Sequence, residues 1–225
     1  MDQGPDYEGQ RARMVRRQLA RRGISDPRVL DALGRVPREA FVAPDLVSSA
    51  YADGPLPIGD GQTISQPYIV AFTAEALQLR PESRVLDVGT GSGYAAAVFA
   101  SIVREVYGIE RVEKLCHSAR ARLAELGYTN VHVRCGDGTL GWPEHAPYDA
   151  IAVGAVGPRL PPALLEQLTV GGRLVMPVGP DGEQVLMLLE RTGVNSYREE
   201  PLVGVRFVPL IGEQGFARNA ASAER

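Results

Sequence analysis

Arg84-Val85-Leu86-Asp87-Val88-Gly89-Thr90-Gly91-Ser92-Gly93-Tyr94 is the stretch whose reading decides the fold. Val85, Leu86 and Val88 form a short apolar run of the kind found in strands buried on both faces. Gly89, Gly91 and Gly93 then permit a turn that most side chains would block. Tyr94-Ala95-Ala96-Ala97-Val98-Phe99-Ala100 follows with strong helix propensity. Strand, glycine turn and helix make the first unit of a parallel α/β sheet, in which ligands bind at the carboxyl ends of the strands.

The glycine spacing narrows the ligand. A dinucleotide fingerprint has its third glycine one position later than Gly93 stands. Asp87, two residues before Gly89, would repel a pyrophosphate. It would tolerate a ligand that carries positive charge. S-adenosylmethionine has a sulfonium and an ammonium and no phosphate, and its carboxylate could use the amides at the helix start.

Further strands follow from the same reading. Glu105–Glu110, Val131–Cys135, Tyr148–Val153 and Arg173–Val178 are apolar or alternating runs. Helices separate them over Val112–Leu126, closed by Gly127, and over Pro162–Leu168, broken by Gly171 and Gly172. Gln184–Glu190 and Val203–Leu210 are expected to form an antiparallel pair, because the link between them is short. Asp87, Glu110 and Asp137 then end three successive strands and share one sheet edge. Asp87 is assigned to the methionyl end and Glu110, about twenty residues beyond Gly89, to the ribose hydroxyls. Asp137 is assigned to the adenine amino group, and Gly138 lets a backbone amide approach the purine.

Upstream, Arg11–Arg22 has a helical apolar face ringed by arginines and ends at Gly23. Asp26 and Pro27 read as an N-cap and first helical position. Asp53–Pro67 is dense in turn residues, a length of loop that is usually functional inside a compact domain. Ile58 and Ile64 argue against simple disorder there. A helix is expected over Tyr68–Leu79, leading into the first strand.

With 225 residues the chain fits one domain. The expected layout is a leader over 1–10, a single domain over 11–218 and a frayed tail over 219–225. Within the domain, 11–80 form a helical cap and substrate loop, and 81–218 the cofactor-binding sheet. A formal charge of −3 gives no global attraction to nucleic acid. The arginines of 11–22 read as a solvated helix face. No run approaches the length of a membrane span. Met1–Gln10 lacks the apolar core of a secretory signal. The two cysteines, Cys116 and Cys135, suit buried thiols in a reducing cytoplasm. A zinc site is not expected, since residues three apart on a strand, such as His132 and Cys135, face opposite ways. No apolar stripe is left over, so a monomer is expected.

Several segments then carry a closer likeness. Val36-Pro37-Arg38-Glu39, Pro57-Ile58-Gly59, Gly61-Gln62-Thr63-Ile64-Ser65-Gln66-Pro67, Asp137-Gly138 and Phe207-Val208-Pro209-Leu210 stand beside the glycine turn. With them the chain resembles the protein-L-isoaspartate O-methyltransferases, over roughly Met14–Phe216. The resemblance implies a doubly wound, mostly parallel Rossmann-like class I methyltransferase fold with an antiparallel C-terminal strand pair and an N-terminal helical subregion. It implies S-adenosylmethionine as methyl donor, no metal, and the carboxylate of isoaspartyl residues in damaged proteins as acceptor. The ester then collapses to a succinimide that can reopen to aspartate. Ser65 matches the active-site serine, with Ile64, Val208 and Pro209 beside the substrate. Pro67, Tyr68, Asp87, Gly89, Gly91, Gly93, Glu110, Asp137 and Gly138 match cofactor positions. Gly154-Ala155-Val156-Gly157-Pro158 departs from the alanine-rich run common in that family. The alternatives are an ordinary aspartyl peptide, RNA or a small molecule as acceptor. The segment after Val153 lacks the Asn/Asp-Pro-Pro-aromatic and Pro-Cys sequences of base methylation.

Because a carboxylate acceptor is ionised at neutral pH, no general base is required. Ser65 is therefore read as a hydrogen-bond donor that orients it, under a lid formed by the loop from Gly59 to Pro67.

Overall fold

In a computed structural model, residues 5–180 and 182–217 are described. The expected tail from Asn219, and Met1–Gly4 of the expected leader, lie outside them. The centre is a seven-stranded sheet of order β5-β4-β3-β6-β7-β8-β9. Its strands are β3 (Arg84–Val88), β4 (Glu105–Glu110), β5 (Val131–Cys135), β6 (Tyr148–Val153), β7 (Leu168–Val178), β8 (Gln184–Gly193) and β9 (Ser196–Val205). β3 to β7 pair in parallel, β8 is antiparallel to β7, and β9 is antiparallel to β8. A smaller hairpin, β1 (Leu56–Gly59) and β2 (Gln62–Ile64), stands apart from the sheet.

Two cores, one per face, explain why the strands read as apolar runs. Val85, Val106, Ala150, Ala152 and Val175 point to one face, where they meet α4 (Tyr94–Ala100) and the N-terminal helices. Leu86, Val88, Ile109, Ile151, Val153 and Leu174 point to the other, towards Leu164 of α6 (Pro162–Glu166). Alternate residues serve alternate faces, so every position of β3 after Arg84 is buried. From β3 the chain passes outward to β4 and β5, then returns to add β6 on the other side. The strand order reverses between β3 and β6, and a crevice opens there at the carboxyl edge.

The N-terminal region differs from the sequence reading in its start. α1 spans Tyr7–Met14, begun by Asp6, whose carboxylate accepts from the Gly9 amide. It overlaps the stretch expected to be a leader. The helix continues through a π-type segment, Val15–Leu19, and a tight turn, Ala20–Arg22, before Gly23 ends it at φ +97°. The arginines here are not all solvated. Arg11 donates to Tyr51 Oη and to the Arg35 carbonyl, and Arg22 pairs with Asp53 at 2.9 Å. α2 (Pro27–Arg35) is capped by Asp26, which accepts from the Arg28 amide at 2.8 Å. α3 spans Pro67–Ala76.

Three further expectations are corrected. β7 begins at Leu168, and Gly171 and Gly172 form an irregularity within it, between the pairs Tyr148↔Leu168 and Ala150↔Arg173. Glycine here marks a bulge rather than a break. The last strand is Ser196–Val205, not Val203–Leu210, because the β8–β9 hairpin turns tightly at Gly193-Val194-Asn195-Ser196. Cys116 of α5 (Glu113–Glu125) and Cys135 of β5 are joined in a disulfide, their Cα atoms 5.6 Å apart. α5 packs back along β5 and brings together two cysteines that the sequence separates by 19 positions. Buried free thiols, and the argument for a reducing compartment drawn from them, do not stand.

Candidate active site

The glycine turn is stitched to β4. The amides of Gly89 and Thr90 both donate to the Ile109 carbonyl, at 2.8 and 3.2 Å. Gly89, Gly91 and Gly93 have φ of +81°, +55° and +91°, which side-chain-bearing residues adopt only under strain. The next amide, Gly91, donates to Glu110 Oε2 at 2.8 Å, and Val112 donates to Oε1 at 2.8 Å. Two backbone amides thus fix the Glu110 carboxylate at the end of β4. It is 7% exposed, and each oxygen keeps a lone pair for a hydroxyl. A Cβ at Gly138 would stand 2.5 Å from Val88 Cγ1, so only glycine fits at that wall.

Asp87 sits behind the turn. It lies on the face of β3 opposite Leu86 and Val88 and is buried, and Oδ2 has no hydrogen-bond partner among the described residues. Burial pushes its carboxyl up to about 7; the Thr90 hydroxyl opposes the rise and the charge of Glu110 adds to it. A buried carboxylate with a vacant acceptor fits a cationic ligand at the switch point.

Asp137 has a different environment. Its Oδ1 accepts from the Thr139 amide (2.8 Å) and hydroxyl (2.7 Å), and Oδ2 accepts from the Glu213 amide at 2.7 Å. Gln214 donates its amide to the Thr139 hydroxyl. The C-terminal segment is therefore clasped onto the end of β5, and Leu210 and Ile211 are drawn to the rim of the crevice.

Two clefts share a wall. The first is lined by Gly89, Gly91, Glu110, Gly138 and Pro209, with Gln62 of the hairpin above. Ile58 holds that hairpin down: a Cβ on Gly91 would come within 3.2 Å of its Cδ1. The second cleft is lined by Ser65, Gln66, Ile69, Gln184, Arg206 and Phe207. Thr63, Gly154 and Val208 line both.

The structure thus brings Gly89, Gly91, Glu110, Gly138, Val208 and Pro209 to one cleft and Ser65 to its neighbour. Other sequence-assigned residues lie elsewhere. Ile64 is 4% exposed and packs in the core. The chain alternates through β2, so Thr63 and Ser65 face the cleft while Ile64 faces inward. Pro67 is buried at the first position of α3, and Tyr68 lies beneath the Arg22 guanidinium (3.6 Å) and against Phe72. Neither is among the cleft-lining residues. Gly93 starts α4, and a Cβ there would approach Leu123 Cδ1 of α5 to 3.1 Å, so it serves packing of helix on helix. Asp87 and Asp137 flank the first cleft without lining it. Part of the segment expected to form a loop and lid is a hairpin, β1 paired with β2. Ser65 is not a helix cap: Gln66 holds that position, without a side-chain cap bond.

The sequence reading missed Thr63, Gln184, Arg206, Leu210 and Ile211. Leu210 and Ile211 are placed by a bridge between Val156 and Pro209, with Leu210 donating to the Val156 carbonyl at 2.7 Å. No local spacing announces a contact across that much chain. Thr63 was legible, since alternation from Ile64 determines its direction.

Comparison with known proteins agrees with this geometry. The family model described as protein-L-isoaspartate(D-aspartate) O-methyltransferase matches residues 10–215. The chain is 59% identical over 212 residues to protein-L-isoaspartate O-methyltransferase 2 of Pelobacter propionicus, covering 94% of each. It is 57% identical to the protein of that name from Marinobacter nauticus, covering 95% of this chain and 98% of that one. Among solved structures, a protein-L-isoaspartate O-methyltransferase superposes with a TM-score of 0.82 at 31% identity, covering 91% of this chain and 67% of that one. A putative one from Plasmodium falciparum, in complex with S-adenosyl-L-homocysteine, gives 0.78 at 28% identity, covering 92% and 99%. The chain belongs to the protein-L-isoaspartate(D-aspartate) O-methyltransferase family.

Proposed function

We propose that this protein transfers a methyl group from S-adenosylmethionine to the free carboxylate of L-isoaspartyl residues in damaged proteins and peptides. The observation that carries this reading is the shared wall of Thr63, Gly154 and Val208. It puts an acid-rimmed cleft against one that contains Ser65.

The donor, when bound, supplies an electrophilic methyl on a sulfonium. Glu110, already fixed by two amides, accepts hydroxyl hydrogen bonds without reorganising. Asp87, which flanks that cleft with Oδ2 unpartnered, would hold the ammonium. Asp137 and Gly138 bound the purine end. On the other side, Ser65 donates to one oxygen of the acceptor carboxylate and turns the second towards the methyl. The acceptor is ionised at neutral pH, so the enzyme's work is alignment at about 3 Å and exclusion of water. No residue is needed to take a proton.

An ordinary aspartyl acceptor would place its carboxylate one methylene differently from the main chain. RNA is disfavoured by the acidic rim and the absence of base-methylation motifs. A monomer is proposed because the exposed large hydrophobics among the described residues are few and fall on different elements: Leu126 after α5, Val170 in β7, Val194 in the β8–β9 turn and Val203 in β9. Among those residues, no helix is long and apolar enough to cross a membrane.

The test incubates the protein with labelled S-adenosylmethionine and matched isoaspartyl, aspartyl and RNA acceptors. Base-labile label on the isoaspartyl peptide alone is expected, and equal labelling of the aspartyl peptide would overturn the acceptor assignment. Ser65→Ala is expected to lower turnover about 100-fold. Cofactor affinity should stay near the wild-type value. Wild-type turnover in that variant would remove Ser65 from its role.

A further inference from the structure

Gln184 is the first residue of β8 and is only 6% exposed. Burying an amide is costly unless both of its ends are hydrogen-bonded. Here both ends go to one residue. Gln184 Oε1 accepts from the Phe207 amide at 2.6 Å, and Nε2 donates to the Phe207 carbonyl at 3.3 Å. Phe207 lies beyond the end of β9, whose last ladder pair with β8 is Gln184↔Val205. The side chain therefore acts as a strand partner where the backbone ladder has run out.

The next residue belongs to a different neighbour. The Val208 carbonyl accepts from the Val156 amide at 2.9 Å, and Leu210 returns the bond. Phe207 is thus the point where the chain leaves β8 and crosses to the segment after β6. Arg206, Phe207 and Val208 all line the Ser65 cleft, and Val208 lines the cofactor cleft as well. Whatever sets the main chain at Phe207 sets the wall across which the two ligands meet.

Resting on the isoaspartyl reading above, we infer that Gln184 is a positioning residue for the acceptor, holding Phe207 by both main-chain groups so that Arg206 and Val208 face the substrate cleft. Adhesion of β9 does not require it. β8 and β9 already pair from Gln184↔Val205 to Gly193↔Ser196. An apolar side chain of the same size could fill the volume but would leave the Phe207 amide and carbonyl without these partners. A doubly bonded amide supplies a fixed direction for the Phe207 peptide that packing alone does not.

The consequence is a split between ligands. Gln184 lines the substrate cleft and does not line the cofactor cleft. Gln184→Met keeps the volume and removes both bonds, and Gln184→Asn keeps an amide too short to span both groups. In each, KM for an isoaspartyl peptide is expected to rise tenfold or more. Peptide binding to the protein saturated with S-adenosylhomocysteine should weaken in parallel. The dissociation constant for S-adenosylhomocysteine alone should stay within twofold of wild type. A purely structural role would instead weaken both ligands together, or neither. Unchanged peptide KM and peptide affinity in either folded variant would overturn the inference, as would equal loss of both affinities. If wild type labels no isoaspartyl peptide, the activity reading fails first. If wild type labels it and both variants match it, only the role of Gln184 fails.

Discussion

Asp87 shows what a single buried carboxyl does to stability and binding together. Its carboxyl is raised from the ordinary carboxylate range to about 7, by burial first and with the charge of Glu110 adding to it. A group raised on folding favours the fold while it is protonated in both states. That contribution is present below the unfolded value near 4 and is lost as pH climbs to 7. Above pH 7 the free protein carries a buried, unpartnered charge. Asp87→Asn is therefore expected to stabilise the free protein at pH 8 by roughly 2–4 kcal/mol, from about three pKa units. The gain should vanish near pH 3. On the proposed reading, the cofactor's ammonium would reverse the preference by stabilising the ionised carboxylate. Binding then releases a proton, and affinity weakens as pH falls below 7, by up to about tenfold per unit. Calorimetric titration with S-adenosylhomocysteine at pH 6 and pH 8 checks the slope, and denaturant unfolding checks the stability. A wild-type slope in Asp87→Asn would assign the titration to another group.

At the scale of elements, β3, β4 and β6 were readable because their side chains have one job. Val85, Leu86, Val106, Ile109, Ile151 and Val153 are all buried, and a run of such residues has few alternatives to a central strand. The edges were harder. Ser196–Val205 carries Arg198, Glu199 and Glu200 on an edge strand, so composition there reads as loop while the ladder to β8 makes it strand. Gly171 and Gly172 look like a stop and are a bulge, because β6 on one side and β8 on the other hold β7 regardless. The disulfide was illegible for a different reason. It depends on how α5 lies on β5, which no spacing between Cys116 and Cys135 encodes. Closing a loop of 19 positions restricts the unfolded chain and stabilises the fold by about 3 kcal/mol. Adding dithiothreitol is expected to lower the unfolding free energy of wild type, read from its denaturant midpoint and slope, by that amount. It should leave a variant carrying both Cys116→Ser and Cys135→Ser unmoved at the lower value. Equal midpoints for wild type and the double variant without reductant would show that the bond contributes nothing.

On the scale of the whole molecule, the sheet collects acids at one edge, and the later chain builds a second cleft against them. The first half of that arrangement was legible, since Asp87, Glu110 and Asp137 each end a recognisable strand. The second half was not, since Gln184, Phe207 and Ile211 reach the site only after β8 and β9 have folded back and Val156 has captured Val208 and Leu210. Gly154 joins the halves. It follows β6, lines both clefts and lacks the positive φ that would bar a side chain. A Cβ there would lie 3.2 Å from the Gly89 carbonyl and 3.5 Å from that of Val88, tight but short of a collision. Gly154→Ala should therefore fold with a melting temperature within a few degrees of wild type. On the proposed reading, the added methyl would stand at the wall shared by acceptor and donor, and displacement by about 1 Å costs on the order of 100-fold in rate. Single-turnover kinetics with saturating isoaspartyl peptide should show that loss in the methyl-transfer step itself. Wild-type turnover would mean that the ligands meet away from Gly154, and that the shared wall is not the path of transfer.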